Sequence, residues 1–221
     1  GDMFMPLDKN NMLFGFEPKL TDEQRNYVDS IFDYQVTMVN ARAGSGKTTL
    51  AVACAKLLSK PLYYIFAPVE EKKMGYRPGT QKEKEAEYYQ PLIDALLEIG
   101  EVPDKVIYNE ENIGNNKNGN VWVYPKSHIF ARGTNIKDAV VIIAEAQNFT
   151  RGELKKVLTR IHDSCTVIIE GHTGQNDLPN PDKSGFQPYI NHLSRYEWVN
   201  VVELTENFRG RLSRAADELA W

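Results

Sequence analysis

The segment VTMVNARAGSGKTT, residues 36–49, joins an apolar strand to a helix through a glycine-rich turn. Residues 36–39 are predicted to form a buried strand, and an alanine- and leucine-rich helix is predicted to continue to about Leu58. Glycines allow the backbone to turn tightly, so that successive N–H groups point inward, and the start of the following helix adds its own unpaired N–H groups. A strand, a turn and a helix in this order are typical of a phosphate-binding loop.

Two side chains at the end of this loop suit a nucleoside triphosphate and its metal. Lys47 is a mobile positive charge for the β- and γ-phosphates, and the Thr48 hydroxyl is a ligand for Mg²⁺. Ala41 stands where the usual G-x-x-x-x-G-K-[ST] pattern has its first glycine. The alternative, an accidental lysine in a glycine-rich turn, is disfavoured because strand, loop and helix follow in the required order. The predicted nucleotide-binding residues are Ala43, Gly44, Ser45, Gly46, Lys47, Thr48, Thr49 and Gln24.

Strands and helices alternate along the rest of the chain. The apolar pattern predicts strands at residues 62–66, 121–124, 140–143, 166–169 and 198–204, and helices after Thr21 and at residues 88–99 and 150–162. Residues 70–87 are predicted as an exposed loop, and Asn118-Gly119 as a hairpin turn. This alternation predicts an α/β fold: a three-layer P-loop domain with a mostly parallel, helicase-like sheet at residues 21–221, after an arm at residues 1–20.

The composition excludes several classes of protein. The 221 residues carry a formal net charge of −4, so the chain lacks the basic footprint of a dedicated duplex-DNA binder. No apolar run is long enough to span a bilayer, and no Cys/His spacing suggests a zinc site. Cys54 and Cys165 lie in apolar runs typical of reduced core thiols. We therefore expect a cytoplasmic protein with no membrane contact.

A second chemical motif follows the apolar run at residues 140–143. The run ends in AEAQN, residues 144–148, and an acidic residue at a strand end beside a phosphate loop can hold a metal or activate water. Glu145 is the candidate for both roles; the alternative is a carboxylate that only faces solvent. The strand predicted at residues 62–66 lies between the two motifs in sequence. This pattern is typical of P-loop proteins with an inserted strand and a water-activating glutamate.

With these segments the chain resembles the PhoH family, whose ATPase core is similar to that of superfamily 1 helicases. The resemblance extends from about Gln24 to Arg209. It depends on an ordered set of motifs: GSGKT at 44–48, GYRPG at 75–79, ARG at 131–133, EAQN at 145–148, LTR at 158–160 and GHTGQNDLP at 171–179. The resemblance implies binding of ATP with Mg²⁺ and hydrolysis of the ATP, and it allows a role with single-stranded RNA or DNA.

The resemblance also implies roles for individual residues. Lys47, Thr48 and Glu145 would belong to the ATP site, and Gln175 would read the γ-phosphate from the strand beside the acidic one. Arg209 would stabilise charge that develops on the transferred phosphoryl group. The predicted catalytic residues are thus Glu145, Gln175 and Arg209, and the predicted metal ligands are Thr48 and Glu145.

Three positions depart from the family pattern. Ala144 stands where the acidic strand normally ends in Asp, His172 replaces the Asp of the Gly-Asp-x-x-Gln motif, and Ala41 replaces the first loop glycine. The missing Asp removes an acceptor for metal-bound water. Two functions therefore stay open: Mg²⁺-dependent ATP hydrolysis in which Glu145 partly substitutes, or an ATP-binding module with little hydrolysis. A small-molecule kinase is disfavoured because the loop that would form its lid, residues 70–87, carries as many acids as bases and so is not a basic lid.

Several other side chains have two interpretations. Gln24 could read the adenine edge or form a capping box with Thr21. His172 could titrate beside the γ-phosphate or be a polar residue at a strand end. A group of basic residues forms either a solvated face or a nucleic-acid track. They are Arg151, Lys155, Lys156 and Arg160 on one predicted helix, with Lys126 and Arg132 outside it. A second core to clamp a strand would have to come from another protomer, which leaves an oligomer open.

Overall fold

The computed structural model describes residues 6–68, 86–111, 114, 119–131, 133–174, 178, 180–206, 208 and 210–219. Within these residues six strands form one sheet in which every neighbouring pair is parallel. Their order across the sheet is β3-β2-β4-β5-β1-β6. The strands are β1 Val36–Ala41, β2 Leu62–Phe66, β3 Val123–Ser127, β4 Val140–Ile143, β5 Thr166–Gly171 and β6 Val199–Leu204.

Helices connect the parallel strands, because a parallel pair needs a crossover connection between its strands. The helices of the described residues are α1 Asp22–Asp33, α2 Lys47–Leu58, α3 Gln90–Glu98, α4 Pro103–Val106, α5 Arg151–Leu158, α6 Phe186–Leu193 and α7 Arg211–Asp217. Short 3₁₀ turns lie at Leu13–Gly15, Glu17–Lys19, Glu87–Tyr89, His128–Ala131, Ala146–Asn148 and Pro181–Lys183.

Apolar cores cover both faces of the sheet. One core lies between the sheet and helices α1, α2 and α3, and the other lies beneath α5 and α6. Strand β4 contributes to both because alternate residues of a strand point to opposite faces. Val140 and Ile142 belong to the first core, and Val141 and Ile143 belong to the second. This arrangement confirms the predicted three-layer α/β fold, with a sheet that is parallel throughout the described residues.

Strand β5 lies between the phosphate-loop strand β1 and the acidic strand β4. Val39 on β1 pairs with Glu170 on β5, and Ile169 on β5 pairs with Ile143 on β4. The carboxyl ends of parallel strands meet at one edge of the sheet, where open α/β folds bind their ligands. The phosphate loop, Glu145 and the end of β5 therefore share one edge.

The strand predicted at residues 121–124 is displaced, and the hairpin predicted before it is wrong in the described part of the chain. Strand β3 begins at Val123 and pairs with β2 in parallel, and Val123 also forms a parallel bridge with Ile107. Gly119 has a φ of 71°, as a turn requires, whereas Asn118 lies outside the described residues. Gly119 lies in a turn, but the choice of strand partner depends on residues far away in sequence.

Helix α5 is shorter than the helix predicted at residues 150–162. It begins after a capping box at Thr150 and ends at Leu158. Beyond it, Ile161 forms a parallel bridge with Ile136, and the His162 N–H donates to the Ile136 carbonyl at 2.9 Å. Backbone groups that pair with another segment cannot continue a helix.

The remaining predicted segments agree with the structure or lie outside it. The helix predicted at residues 88–99 is the 3₁₀ turn Glu87–Tyr89 followed by α3. Most of the loop predicted at residues 70–87 lies outside the described residues. Leu13 of the N-terminal arm is buried in the first core; the division into an arm at 1–20 and a domain at 21–221 stays a prediction.

Candidate nucleotide-binding site

The phosphate loop connects β1 to α2 through two glycines with left-handed backbone. Gly44 has a φ of 79° and Gly46 a φ of 82°. The left-handed backbone of Gly46 favours glycine, and a Cβ there would also lie 3.2 Å from Nε2 of Gln24, a tight contact. In the described part of the chain, no side chain caps helix α2. The N-terminus of α2 therefore offers its N–H groups to an anion.

Three hydrogen bonds from outside the loop engage its carbonyl groups. The donors come from helix α1 and from the segment after β6. The bonds are Gln24 Nε2 to Ser45 O at 3.1 Å, Tyr27 Oη to Lys47 O at 3.0 Å, and Phe208 N to Gly44 O at 3.1 Å. Three carbonyl groups of the loop are thus occupied by hydrogen bonds to other parts of the protein.

These bonds determine where the N–H groups of the loop point. In a trans peptide the carbonyl and the following N–H point in opposite directions, and no described peptide bond is cis. The N–H groups of Ser45, Gly46 and Thr48 therefore point away from Phe208, Gln24 and Tyr27, which donate to the carbonyls that precede them. N–H groups left free at a helix N-terminus form an anion-binding site.

The ammonium of Lys47 lies beside this anion-binding site. Its Nζ is 3.4 Å from Oε1 of Glu145 and 3.5 Å from the carbonyl oxygen of Ala41. The Lys47 side chain is 10% exposed, whereas the Glu145 side chain is 44% exposed. The structure therefore brings together two of the predicted ATP-site residues, as a partly exposed ion pair.

Glu145 is held by a residue that joins the ends of β4 and β5. Its backbone is left-handed, with φ 50° and ψ 52°. Gln147 donates from Nε2 to Oε2 of Glu145 at 2.6 Å and accepts, on Oε1, the His172 N–H at 3.0 Å. A Cβ at Gly171 would lie 2.9 Å from Oε1 of Gln147, so the close approach of the two strand ends requires glycine there.

Thr48 contacts a carboxylate that the sequence analysis did not identify. Its hydroxyl donates to Oε1 of Glu170 at 2.9 Å, and Glu170 is 1% exposed. Burial raises the pKa of Glu170 to about 7 and the negative charge of Glu145 adds to the rise, while Lys47 and the Thr48 hydrogen bond oppose it. The available signal was one acidic residue in a continuous buried strand, VIIEG at residues 167–171.

Two further buried polar atoms beside the loop lack hydrogen-bond partners in the part of the chain that the structure describes. They are Oγ of Ser45 and Nδ1 of His172. Burial, Lys47 and Arg42 lower the pKa of His172 from its ordinary 6.5, so the imidazole is neutral near pH 7. Both atoms are groups that a bound ligand could satisfy.

The other predicted site residues lie in different surroundings. Gln24 forms the predicted capping box with Thr21, in addition to its bond to the loop. The Thr49 hydroxyl donates to Glu98 at 3.2 Å, on the α3 side of the loop. Gln175 and Arg209 lie outside the described residues.

The predicted basic track is divided in the structure. The four basic side chains of the α5 region are exposed: Arg151, Lys155, Lys156 and Arg160. Lys126, by contrast, lies over the rings of Phe130 and Tyr108, with Nζ 4.8 Å and 5.4 Å from their centroids. Arg132 lies outside the described residues.

A cleft of about 170 Å³ opens beside the phosphate loop. Gln24, Gly46 and Thr49 line it together with the charged Lys19 and Glu98, and apolar side chains from the N-terminal arm, α2 and the segment after β6 line the rest. These apolar residues are Phe16, Leu20, Leu50 and Phe208. A flat apolar group attached to a phosphate chain fits a cleft of this composition.

The residues present fit the Mg²⁺ ion that a phosphate loop of this kind implies. Hydroxyl and carboxylate oxygens are the ligands that Mg²⁺ prefers, and no described residue bonds to Oε2 of the buried Glu170. Among the described residues no group of three or more His, Cys, Asp or Glu forms a metal cluster. The ion would therefore arrive with phosphate oxygens rather than bind in an all-protein cage.

The geometry and the sequence agree on one family. A family model described as PhoH-like protein matches residues 17–218. The chain belongs to the PhoH family. The order of the motifs along the sequence had implied this family, and the match covers the same part of the chain.

Named PhoH proteins are similar over most of the chain. A PhoH-like protein of Synechocystis sp. is 37% identical over 192 residues, which are 84% of this chain and 56% of that protein. Protein PhoH of Escherichia coli (strain K12) is 31% identical over 188 residues, 82% of this chain and 51% of that protein. A PhoH-like protein of Bacillus subtilis is 31% identical over 189 residues, 83% of this chain and 56% of that protein. The chain thus spans about half the length of these PhoH relatives.

This PhoH-family chain also resembles a solved helicase structure in its fold. The crystal structure of the DUF1998 helicase MrfA bound to DNA aligns with a TM-score of 0.49 at 12% identity, over 90% of this chain and 30% of that one. This likeness is too low to support an inference about function. Among the described helices, none has the length and apolar character that crossing a membrane requires.

Proposed function

We propose that this PhoH-family chain binds ATP with Mg²⁺ and hydrolyses the bond between the β- and γ-phosphates. One observation carries the proposal: the carbonyls of Gly44, Ser45 and Lys47 are engaged by hydrogen bonds from Phe208, Gln24 and Tyr27. The N–H groups that follow these carbonyls point away from those donors, and we infer that they face the phosphates together with the Lys47 ammonium.

Nucleotide binding exchanges one partner of Lys47 for another. The Lys47–Glu145 pair is partly exposed, and ion pairs of this kind contribute little to stability. A triphosphate carries several negative charges and can also accept the inward N–H groups, so it displaces Glu145 from the lysine. The same event leaves the Glu145 carboxylate free for chemistry.

Hydrolysis then requires one proton transfer. A water oxygen forms a bond to the γ-phosphorus, the bond from that phosphorus to the bridging oxygen breaks, and ADP leaves with the electron pair. The proton of the water passes to the Glu145 carboxylate, which Gln147 orients. Bound Mg²⁺ would neutralise charge on the phosphate oxygens. Gln175 and Arg209 are proposed to sense the γ-phosphate and to stabilise the charge that develops on it.

The adenine base is proposed to occupy the cleft beside the phosphate loop. One hydrogen of the Gln24 amide donates to Ser45 O, and its Oε1 accepts the Thr21 N–H. The second hydrogen and a second lone pair of the amide stay available for a purine edge. Gln24 can therefore support the loop, cap α1 and contact adenine at the same time.

Calorimetric titration with ATP and Mg²⁺ tests the proposal. Replacing Lys47 with alanine should weaken ATP binding by at least about 10-fold, because charge-assisted bonds to the phosphates are lost. Lys155→Ala, an exposed lysine on α5, is the matched control and should bind ATP as the wild type does. A folded wild-type protein without affinity for ATP would refute the proposal.

The second candidate function is an ATP-binding module that hydrolyses ATP slowly. Ala144 carries no carboxylate at the end of β4, and Glu145 is paired with Lys47 rather than directed at a free site. Phosphate release measured beside ATP affinity separates the two functions. Tight binding with turnover at the background rate would favour the module.

A role with single-stranded RNA or DNA is also a proposal, supported by the exposed basic side chains of the α5 region. A strand that contacts this face should stimulate ATP turnover, and Lys155→Ala with Lys156→Ala should reduce the stimulation. A second copy of the chain would supply the other half of a clamp. Turnover that is equal with and without either nucleic acid would contradict this role.

A further inference from the structure

Glu170 is a buried carboxylate with half of its hydrogen-bonding capacity unused. Oε1 accepts the Thr48 hydroxyl at 2.9 Å, whereas Oε2 is buried and has no hydrogen-bond partner among the residues that the structure describes. Buried charges are normally paired or coordinate metals, because removing a carboxylate from water is unfavourable. The closest ammonium contact in the site, that of Lys47, goes to Glu145. Within the described part of the chain, Oε2 of Glu170 is therefore available to a ligand.

The position of Glu170 coincides with the place where the family pattern lacks its acid. Ile143 pairs with Ile169, so the next residues of the two strands, Ala144 and Glu170, are neighbours. Ala144 shares an apolar core with Ile168, which lies two residues before Glu170 on the same face of β5. Helix α2, with Thr48, packs on that face. The small side chain at position 144 leaves this space to Glu170.

Carboxylates at both positions would place like charges side by side in a buried site, which is unfavourable. One carboxylate on β4 and one on β5 are therefore alternative solutions to the same requirement. Strand β5 can offer one because it lies directly beside β1, whose end carries the phosphate loop.

We propose that Glu170 supplies, from strand β5, the buried carboxylate for the metal at Thr48 that position 144 does not provide. The inference rests on the proposed binding of nucleotide with Mg²⁺. The direction of the Thr48 hydrogen bond supports it, since a hydroxyl that donates its hydrogen to Glu170 keeps its lone pairs for a cation. Glu170 is thus assigned to the metal and its water ligands, and Glu145 to the attacking water.

The test compares the affinity for ADP in excess Mg²⁺ with the affinity in EDTA, both by calorimetry. This ratio reports on metal binding without requiring turnover. Glu170→Gln keeps an acceptor for Thr48 but removes the charge, and should lower the ratio by about 10- to 100-fold. Affinity in EDTA should stay the same or rise, because a negative charge near the phosphates is lost. The matched control is Glu203→Gln, an exposed glutamate on β6.

A rescue variant distinguishes metal binding from a purely structural role. Ala144→Asp combined with Glu170→Gln returns a single carboxylate to β4 and should recover most of the ratio. If Glu170 only positions Thr48, Glu170→Gln should keep the ratio and the rescue should change nothing, which would overturn the inference. Glu170→Asp keeps the charge on a shorter side chain, so its ratio of ADP affinities should lie between those of wild type and Glu170→Gln. This variant replaces Glu170→Gln in the test if the amide variant does not fold.

The outcomes also separate this inference from the proposed function. A wild-type protein that binds no ADP in either condition would overturn both. A wild-type protein that binds ADP equally with Mg²⁺ and with EDTA would overturn the role of Glu170 and leave nucleotide binding intact.

Discussion

Nζ of Lys47 lies 3.4 Å from Oε1 of Glu145, so the lysine of the phosphate loop is paired with the candidate catalytic base. Lys47 is thus paired with Glu145 rather than with phosphate, and Glu145 is paired with Lys47 rather than with the attacking water. In the absence of nucleotide the two opposite charges offset each other, and separation of the pair by phosphate would free the lysine and the carboxylate together.

Glu145→Gln is expected to separate binding from turnover. The amide cannot accept the water proton, so turnover should fall by about 100-fold or more. ATP affinity should stay equal or increase, because the phosphates no longer compete with a carboxylate for Lys47. Phosphate release and calorimetric affinity measure the two effects, with Glu203→Gln as control. Wild-type turnover in the Glu145→Gln protein would exclude Glu145 as the base.

Much of this site could be predicted from the sequence, because its parts are local. The strand, turn and helix around Lys47 are specified by neighbouring glycines and apolar residues, and the capping box at Thr21 is complete within four residues. The role of Glu170 could not be predicted in the same way. It depends on β5 lying between β1 and β4, and that order follows from packing across the whole sheet. The partner of β3 was misjudged for the same reason.

The stability of the metal-free protein is expected to depend on pH through Glu170. Burial raises the pKa of this carboxyl from 4.5 to about 7. An acid with a raised pKa in the folded state binds its proton more tightly there, so this group favours folding at low pH. Its contribution falls as the pH rises from about 4.5 to about 7 and then stays constant.

The side chain in Glu170→Gln does not ionise, so this variant should not lose stability as the pH rises through the pKa of Glu170. Its free energy of unfolding relative to wild type should therefore increase between about pH 5 and pH 8, by about 1–3 kcal/mol. Urea unfolding in EDTA across this range measures the difference, and Glu203→Gln should show none. A difference that does not change with pH would contradict the buried, ionised state of Glu170.

Gly171→Ala is expected to disturb the link between the ends of β4 and β5. The added Cβ would lie 2.9 Å from Oε1 of Gln147 and 2.9 Å from the ring of Phe186, both buried. Overpacking of this kind costs about 1–3 kcal/mol. Displaced Gln147 would also release Glu145, so turnover should fall more than ATP affinity.

Gly152→Ala is the matched control for this substitution. Gly152 lies in helix α5, and the nearest neighbour of a Cβ there would be Oγ1 of Thr150, which at 4.0 Å is not a close contact. Alanine is favoured over glycine in a helix by about 0.5–1 kcal/mol, so this variant should be slightly more stable than wild type. Thermal unfolding measures both variants. Equal losses of stability would show that the close contacts at position 171 do not cause the destabilisation.

Gln24 combines two roles that a pair of substitutions can separate. Thr21→Ala removes the hydrogen bond from the backbone N–H of Gln24 to Oγ1 of Thr21 but leaves both bonds of the Gln24 amide, whereas Gln24→Ala keeps that N-cap bond and removes the bonds to the Thr21 N–H and to Ser45 O. Thr21→Ala should lose about 1 kcal/mol of stability through the cap. Only Gln24→Ala frees the Ser45 carbonyl and leaves the adenine edge without its amide, so only this variant should bind ATP more weakly and discriminate less between ATP and GTP. Calorimetric titration with both nucleotides measures this discrimination. If Thr21→Ala lowers it as much as Gln24→Ala does, the amide acts through the helix cap, and the base must be recognised by other residues of the cleft.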